Sequence, residues 1–203
     1  MNYFVTGIDT DSGKSLVSAI LCEALHADYW KPIQAGKPTD TDVVKNLITN
    51  KKTVFHPESY SLEMPASPHA AAKKEGIEIQ IEKIIKPATD NSLIIEGAGG
   101  CLVPLNDKDF VIDIATHFEC SIILVADLYL GSINHTLLTV NELKSRNLTV
   151  KGVVFNGEEN AESQRIILHH SGWKQLLHIK KENQINHDTV SYYAKEILNN
   201  WNE

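Results

Sequence analysis

The sequence predicts an α/β protein, a mostly parallel sheet with helices on both faces, and three observations carry the prediction. Short, mostly apolar runs recur at Tyr3–Thr6, Leu93–Ile95, Ile122–Val125 and Val150–Phe155, as expected of strands buried on both faces. Stretches with helical spacing lie between them, the alternation that builds a parallel sheet. Seven of the 11 glycines (Gly7, Gly13, Gly36, Gly97, Gly99, Gly100 and Gly131) fall in four short segments. Glycine in such clusters lets backbone turn sharply or approach a ligand closely.

Each element has its own justification. Tyr3–Thr6 runs into Gly7 and forms the first strand. A helix from about Lys14 to His26 follows, because Leu16, Val17, Ile20, Leu21, Ala24 and Leu25 share one face. Tyr29-Trp30-Lys31 is a second strand, stopped by Pro32. Asp40 stands where it can cap a helix over about Thr41 to Ile48. Ser67-Pro68 reads as an N-cap with proline in the first helical position, and Gly76 as the stop. Ile79, Ile81, Ile84 and Ile85 make a second amphipathic stretch before Pro87. Further helices are expected near Asp109 to Phe118, Ile133 to Arg146 and Asp188 to Trp201.

Composition excludes several classes. A chain of 203 residues fits one domain spanning 1–203, with enough apolar residues (42%) to bury a core unaided. Nineteen basic against 26 acidic residues give a charge of -7, which argues against a nucleic-acid binder. No aliphatic run approaches the ~20 residues of a membrane span, and the N-terminal residues lack a secretory pattern. Cys22, Cys101 and Cys120 suit neither a disulfide framework nor zinc spacing. The expectation is a cytoplasmic protein with reduced, buried thiols.

Four segments carry chemistry. GIDTDSGKS, from Gly7 to Ser15, follows a strand and opens a helix. Its backbone N–H groups can cradle phosphates, with Lys14 reaching the terminal phosphates and the Ser15 hydroxyl on Mg²⁺. That makes the protein P-loop NTPase-like, although five residues separate the two glycines where the usual pattern has four. In LIIEGAGG, from Leu93 to Gly100, Glu96 sits at a strand's C-terminal end, where α/β sheets bind ligands. It suits a Mg²⁺ carboxylate. Gly97, Ala98 and Gly99 allow the backbone to approach a nucleotide. In KPIQAG, Lys31 at a strand end can face the same crevice or simply be solvated. Asp42 is equally open between a ligand and a helix-start acid. The fourth segment, Leu130 to His135, can hold a carboxylate on the N–H groups of Ser132, Ile133 and Asn134, or be a plain strand-to-helix turn.

Taken together, TGIDTDSGKS, KPIQAG, SPHAA, IIEGAGG and LGSINHTLLT, in this order, resemble the dethiobiotin synthetases of biotin biosynthesis over about Tyr3 to Gly157. The long phosphate loop is itself a mark of that family. The resemblance implies a homodimeric ligase dependent on ATP and Mg²⁺. It would convert 7,8-diaminononanoate and CO₂ to dethiobiotin, ADP and phosphate through a carbamate and a carbamic–phosphoric anhydride. It implies ATP binding by Asp11, Ser12, Gly13, Lys14, Ser15, Leu16, Asp42, Glu96, Gly97, Ala98, Gly99, Asn156 and Gly157, with Asn156 at the base. Ser15, Asp42 and Glu96 become the metal-associated residues, and Lys14 and Lys31 the catalytic ones. Thr10, Asp11, Lys31 and Ala35 would meet the diamine, and Gly131 to Asn134 (Gly131, Ser132, Ile133, Asn134) the substrate carboxylate from the partner subunit. The family often has Glu at Asp11 and usually Ser or Thr at Ala35, and its Gly- and Pro-containing base loop is missing from Trp173 to Gln184. The competing reading is a partner-regulated switch ATPase of the partitioning type. Those proteins commonly carry an extra lysine early in the loop, whereas Ile8 to Asp11 has two acids and none. His69, His135, His169 and His170 are expected to pack or face solvent.

Overall fold

The computed structural model describes residues 1–201. In chain order it contains β1 (Asn2–Gly7), α1 (Lys14–Leu25), β2 (Asp28–Trp30), β3 (Ile33–Ala35), α2 (Asp40–Leu47), β4 (Phe55–His56) and β5 (Tyr60–Leu62). There follow α3 (Pro68–Lys74), β6 (Leu93–Gly100), α4 (Val111–His117), β7 (Ser121–Asp127) and α5 (Ser132–Ser145). β8 (Val150–Asn156), α6 (Ala161–Ser171), β9 (Gln175–Ile179) and α7 (His187–Trp201) complete the described chain. Seven strands form one sheet in the order β4-β2-β6-β1-β7-β8-β9, every ladder parallel, and β3 pairs with β5 in a separate two-stranded ribbon.

Alternation along β1 explains the two faces. Tyr3 and Val5 pack with α1 and α7 through Val17, Ile20, Leu21 and Ile197, while Phe4 packs the opposite way with Ile112, Ala115 and Val140. Strands β1, β6 and β7 are therefore apolar at nearly every position, the pattern read from the sequence. Because all ladders are parallel, the strand C-termini share one edge. Gly7, Trp30, the Glu96–Gly100 stretch, Asp127 and Asn156 lie there. All three cysteines are buried and free; burial pushes the Cys120 thiol up to about 12 and raises those of Cys22 and Cys101.

Three expectations need correction. Asp40 does not cap α2: Thr39 does, its backbone extended and its Oγ1 accepting from the Asp42 N–H at 3.0 Å. The isoleucine-rich stretch before Pro87 forms only a 3-10 turn, Ile81–Lys83; Ile79, Ile81 and Ile84 are buried while Ile85 faces solvent. A two- or three-residue run such as β3, β4 or β5 shows no period, and these strands, with β9, were not expected from the sequence.

Candidate active site

The phosphate loop is built by two glycines for different reasons. At Gly13 φ is +96°, and a Cβ would stand 2.5 Å from Asn156 Nδ2. At Gly7 a Cβ would collide with the Ser12 hydroxyl. Ser12 is buried under the loop, its Oγ donating to the Asp9 carbonyl at 3.0 Å. Asn156, at the end of β8, donates from Nδ2 to the Ser12 carbonyl at 3.0 Å and so ties the loop to the sheet. The amide expected at the base therefore spends its nitrogen on the loop itself. Gly13 is the N-cap of α1 and, with no side chain to cap it, leaves the first N–H groups of the helix to a ligand.

Lys14 is buried and donates to the carbonyls of Asp9 (2.8 Å) and Thr10 (2.7 Å). Burial, and then repulsion from Lys31, lowers its ammonium to about 8. Lys31 emerges from the end of β2 into the interior, where Nζ meets Asp40 Oδ2 at 2.5 Å, the Gly97 carbonyl at 2.9 Å and Glu96 Oε1 at 3.3 Å. Burial alone would lower Lys31, but Glu96 and Asp40 outweigh it and hold the ammonium above the ordinary lysine value. Glu96 is 1% exposed. Its Oε1 also accepts from Ser15 Oγ at 2.9 Å, and its Oε2 from the Tyr29 hydroxyl at 3.0 Å.

These groups face one cavity of about 650 Å³. The loop contributes Thr10, Asp11, Gly13, Lys14, Ser15 and Leu16; Lys31, Ala35, Glu96, Ala98 and Gly99 close it from the strand ends. Gln34, Asp40, Pro65 and Ser67 line it too, and none of these was singled out from the sequence as a site residue. Gln34 is buried, donates from Nε2 to the Gly36 carbonyl at 3.0 Å and accepts the Asp40 N–H at 3.0 Å on Oε1. It thus fixes the start of α2, and with it Asp40. Asp42 lies outside this wall: it is exposed, and Thr39 Oγ1 bonds its Oδ2 at 2.7 Å. A second cavity of about 460 Å³ holds Leu16, Asn156 and Gly157 beside Asp127, Lys180, Lys181 and Glu182. The segment after β9 thus walls the place where a base would sit.

The Gly131 to Asn134 turn lines neither cavity. Gly131 has φ +105° at the start of α5, and the Ser132 N–H is spent on the Tyr129 carbonyl at 3.0 Å, leaving Ile133 and Asn134 to a ligand. His69, His169 and His170 are exposed, and His135 pairs with the Tyr129 hydroxyl at 2.6 Å through Nδ1.

A parallel sheet whose first strand feeds a glycine loop, a lysine and an uncapped helix defines a P-loop nucleotide-binding α/β protein. Solved structures agree on the fold alone. A ParA family ATPase from Chlorobium tepidum superposes with a TM-score of 0.61 at 11% identity, covering 96% of this chain and 97% of that one. The cell division ATPase MinD of Pyrococcus furiosus gives 0.60 at 14% identity, covering 98% and 99%. A family model described as an AAA domain matches residues 1–189. The ATP-dependent dethiobiotin synthetase BioD of Cytophaga hutchinsonii is 57% identical over 99% of this chain and 98% of its own. That of Christiangramia forsetii is 46% identical over 96% and 95%. The chain belongs to the dethiobiotin synthetase family.

Proposed function

We propose that this protein is an ATP- and Mg²⁺-dependent ligase that makes dethiobiotin from 7,8-diaminononanoate and CO₂. The observation that carries the reading is a single cavity faced by Lys14, the loop acid Asp11 and the buried Lys31–Glu96 pair. A phosphate site and an acid suited to an amine then share one space. The full-length relatives named for this activity support it.

The residues fit Mg²⁺. Ser15 Oγ and Glu96 Oε1 bring hard oxygen donors within 2.9 Å of each other, and Asp40 adds a carboxylate that meets the same Lys31 ammonium. When bound, the ion supplies positive charge to the phosphoryl oxygens. This chain's own residues do the positioning. Thr10 and Asp11 receive the diamine end, and the first N–H groups of α1 with Lys14 hold the phosphates. One amine adds CO₂ to give a carbamate, whose oxygen attacks the γ-phosphorus and releases ADP. The second amine then attacks the carbamoyl carbon of the anhydride, closing the ring and expelling phosphate. Lys31, fixed between Glu96, Asp40 and the Gly97 carbonyl, offers its charge to the transferring group without rearranging. At Ala35 no hydroxyl is available, and the Gln34 amide nitrogen beside it is already spent on the Ala35 and Gly36 carbonyls.

The second carboxylate is assigned to Asp40 rather than Asp42. Asp40→Asn is expected to lower turnover at least about tenfold. Asp42→Asn removes only one side of a helix cap and should leave turnover within about twofold, with at most ~1 kcal/mol of stability lost. Steady-state rates and thermal melts of both variants decide; a larger rate loss in Asp42→Asn reverses the assignment.

A homodimer is part of the proposal. Leu130 is fully exposed beside the Gly131 turn and Leu138 is 60% exposed on α5. Such apolar exposure suits burial against a second copy, which would bring this turn to the partner's substrate carboxylate. The assay that tests the reaction measures ADP release from Mg-ATP and bicarbonate, with and without 7,8-diaminononanoate. Release should depend on the diamine and match dethiobiotin formed; release indifferent to the diamine would sink the proposal.

A further inference from the structure

We infer that Tyr29 is a positioning residue for the metal-side carboxylate, its hydroxyl holding Glu96 so that one oxygen is kept for the cavity. The inference rests on the reading of Ser15 and Glu96 as the metal side.

The register of the sheet creates the contact. Tyr29 on β2 stands opposite Ile94 on β6. Side chains two apart on a strand share a face, so Glu96 is the next residue on the same side, about 6.6 Å along. A phenol reaches that far and a shorter side chain does not. The Tyr29 hydroxyl donates to Glu96 Oε2 at 3.0 Å, between two groups that are both buried. The ring is itself held, fully buried and tilted against Phe55 with centroids 5.7 Å apart.

The two carboxylate oxygens consequently divide their work. Oε2 points back to the sheet and is satisfied by Tyr29, while Oε1 points toward Ser15 Oγ and Lys31 Nζ at 2.9 and 3.3 Å. Without the phenol hydroxyl, Oε2 is left buried and unsatisfied, a costly state for a charged acceptor. Rotation of the carboxylate then relieves it by sharing the Ser15 and Lys31 donors between both oxygens. Oε1 is withdrawn from the orientation that suits a cation beside the Ser15 hydroxyl. The Tyr29 hydroxyl bonds Glu96, whereas Lys14 bonds the Asp9 and Thr10 carbonyls, so phosphate binding without metal does not draw on Tyr29.

The test is calorimetric binding of ADP in excess Mg²⁺ and again in excess EDTA. Tyr29→Phe keeps the ring and removes the hydroxyl. The gain in ADP affinity on adding Mg²⁺ should fall about tenfold in this variant, with affinity in EDTA within about twofold of the parent. Phe55→Leu loosens the ring packing without touching the hydroxyl and should keep the full Mg²⁺ gain. A parental gain in Tyr29→Phe, or equal losses with and without Mg²⁺, overturns the inference. Glu96→Gln separates the two levels. If it abolishes the Mg²⁺ gain while Tyr29→Phe does not, the site reading stands and only the role of Tyr29 fails. If Glu96→Gln keeps the gain, the metal-side reading falls and this inference with it.

Discussion

Lys31→Ala is expected to lower turnover at least ~10²-fold and to cost about 3–5 kcal/mol of folding stability. The two losses have separate causes. On the proposed mechanism, the rate loss follows from removing a preorganised cation that serves the transferring phosphoryl group. The stability loss follows from what remains: Glu96, 1% exposed, loses the ammonium at 3.3 Å, and Asp40 loses the one at 2.5 Å. The sign agrees with the ionisation. The two carboxylates hold the folded-state value of Lys31 above the ordinary 10.5, so its contribution is fully present at neutral pH. It disappears only as pH rises through that raised value. Lys31→Met keeps most of the stem's volume and should recover part of the stability but none of the rate. Single-turnover phosphate release and urea melts of both variants check this. A Lys31→Met enzyme with near-parental turnover would remove Lys31 from the chemistry.

Some of this site is written in contiguous residues, and that part is legible from the sequence. A strand, a glycine loop and a Lys-Ser pair opening a helix specify a phosphate cradle locally, and an acid ending an apolar run specifies Glu96 at the same edge. The rest depends on partners distant in the chain. Thr39-Asp-Thr-Asp42 carries the [ST]-x-x-[DE] signal of a capping box, which assigns Asp42 to the cap and frees Asp40. Tyr29 has no such signal. Its bond to Glu96 depends on the β2–β6 register, and strands 65 residues apart do not announce which residues face each other. Short strands were invisible for a related reason: β3 and β5 are three residues each and stabilised by their mutual pairing, not by periodicity.

The same comparison separates fold from function. Partitioning and cell-division ATPases share the architecture at 11–14% identity, so the sheet and loop alone would leave the switch-ATPase reading open. What is particular to this chain is local: Ile8 to Asp11 carries two acids and no lysine, and Asp11 faces the cavity that holds Lys31 and Glu96. An acidic loop suits a cavity shared between phosphates and an amine better than one occupied by nucleotide alone.

Lys14→Ala should also lower turnover by ~10²–10³-fold, but with the opposite tendency in stability from Lys31→Ala. Lys14 is buried beside Lys31, and its ammonium titrates at about 8 rather than the ordinary 10.5. A cation whose folded-state value is depressed disfavours the fold below that value. The penalty fades as pH rises from about 8 to 10.5, where the unfolded chain also loses its proton. Removing the group at neutral pH lifts this penalty while forfeiting two hydrogen bonds to the Asp9 and Thr10 carbonyls, at 2.8 and 2.7 Å. The opposing effects leave Lys14→Ala within about 1 kcal/mol of the parent. Binding follows the same ionisation. Phosphates favour the charged ammonium, so ADP affinity in EDTA should weaken as pH rises above about 8, and Lys14→Ala should abolish that dependence. Urea melts at neutral pH together with ADP titrations from neutral to alkaline pH test both halves. A stability loss as large as that of Lys31→Ala would mean that the loop needs Lys14 to fold, and an unchanged alkaline dependence would mean that some other group holds the phosphates.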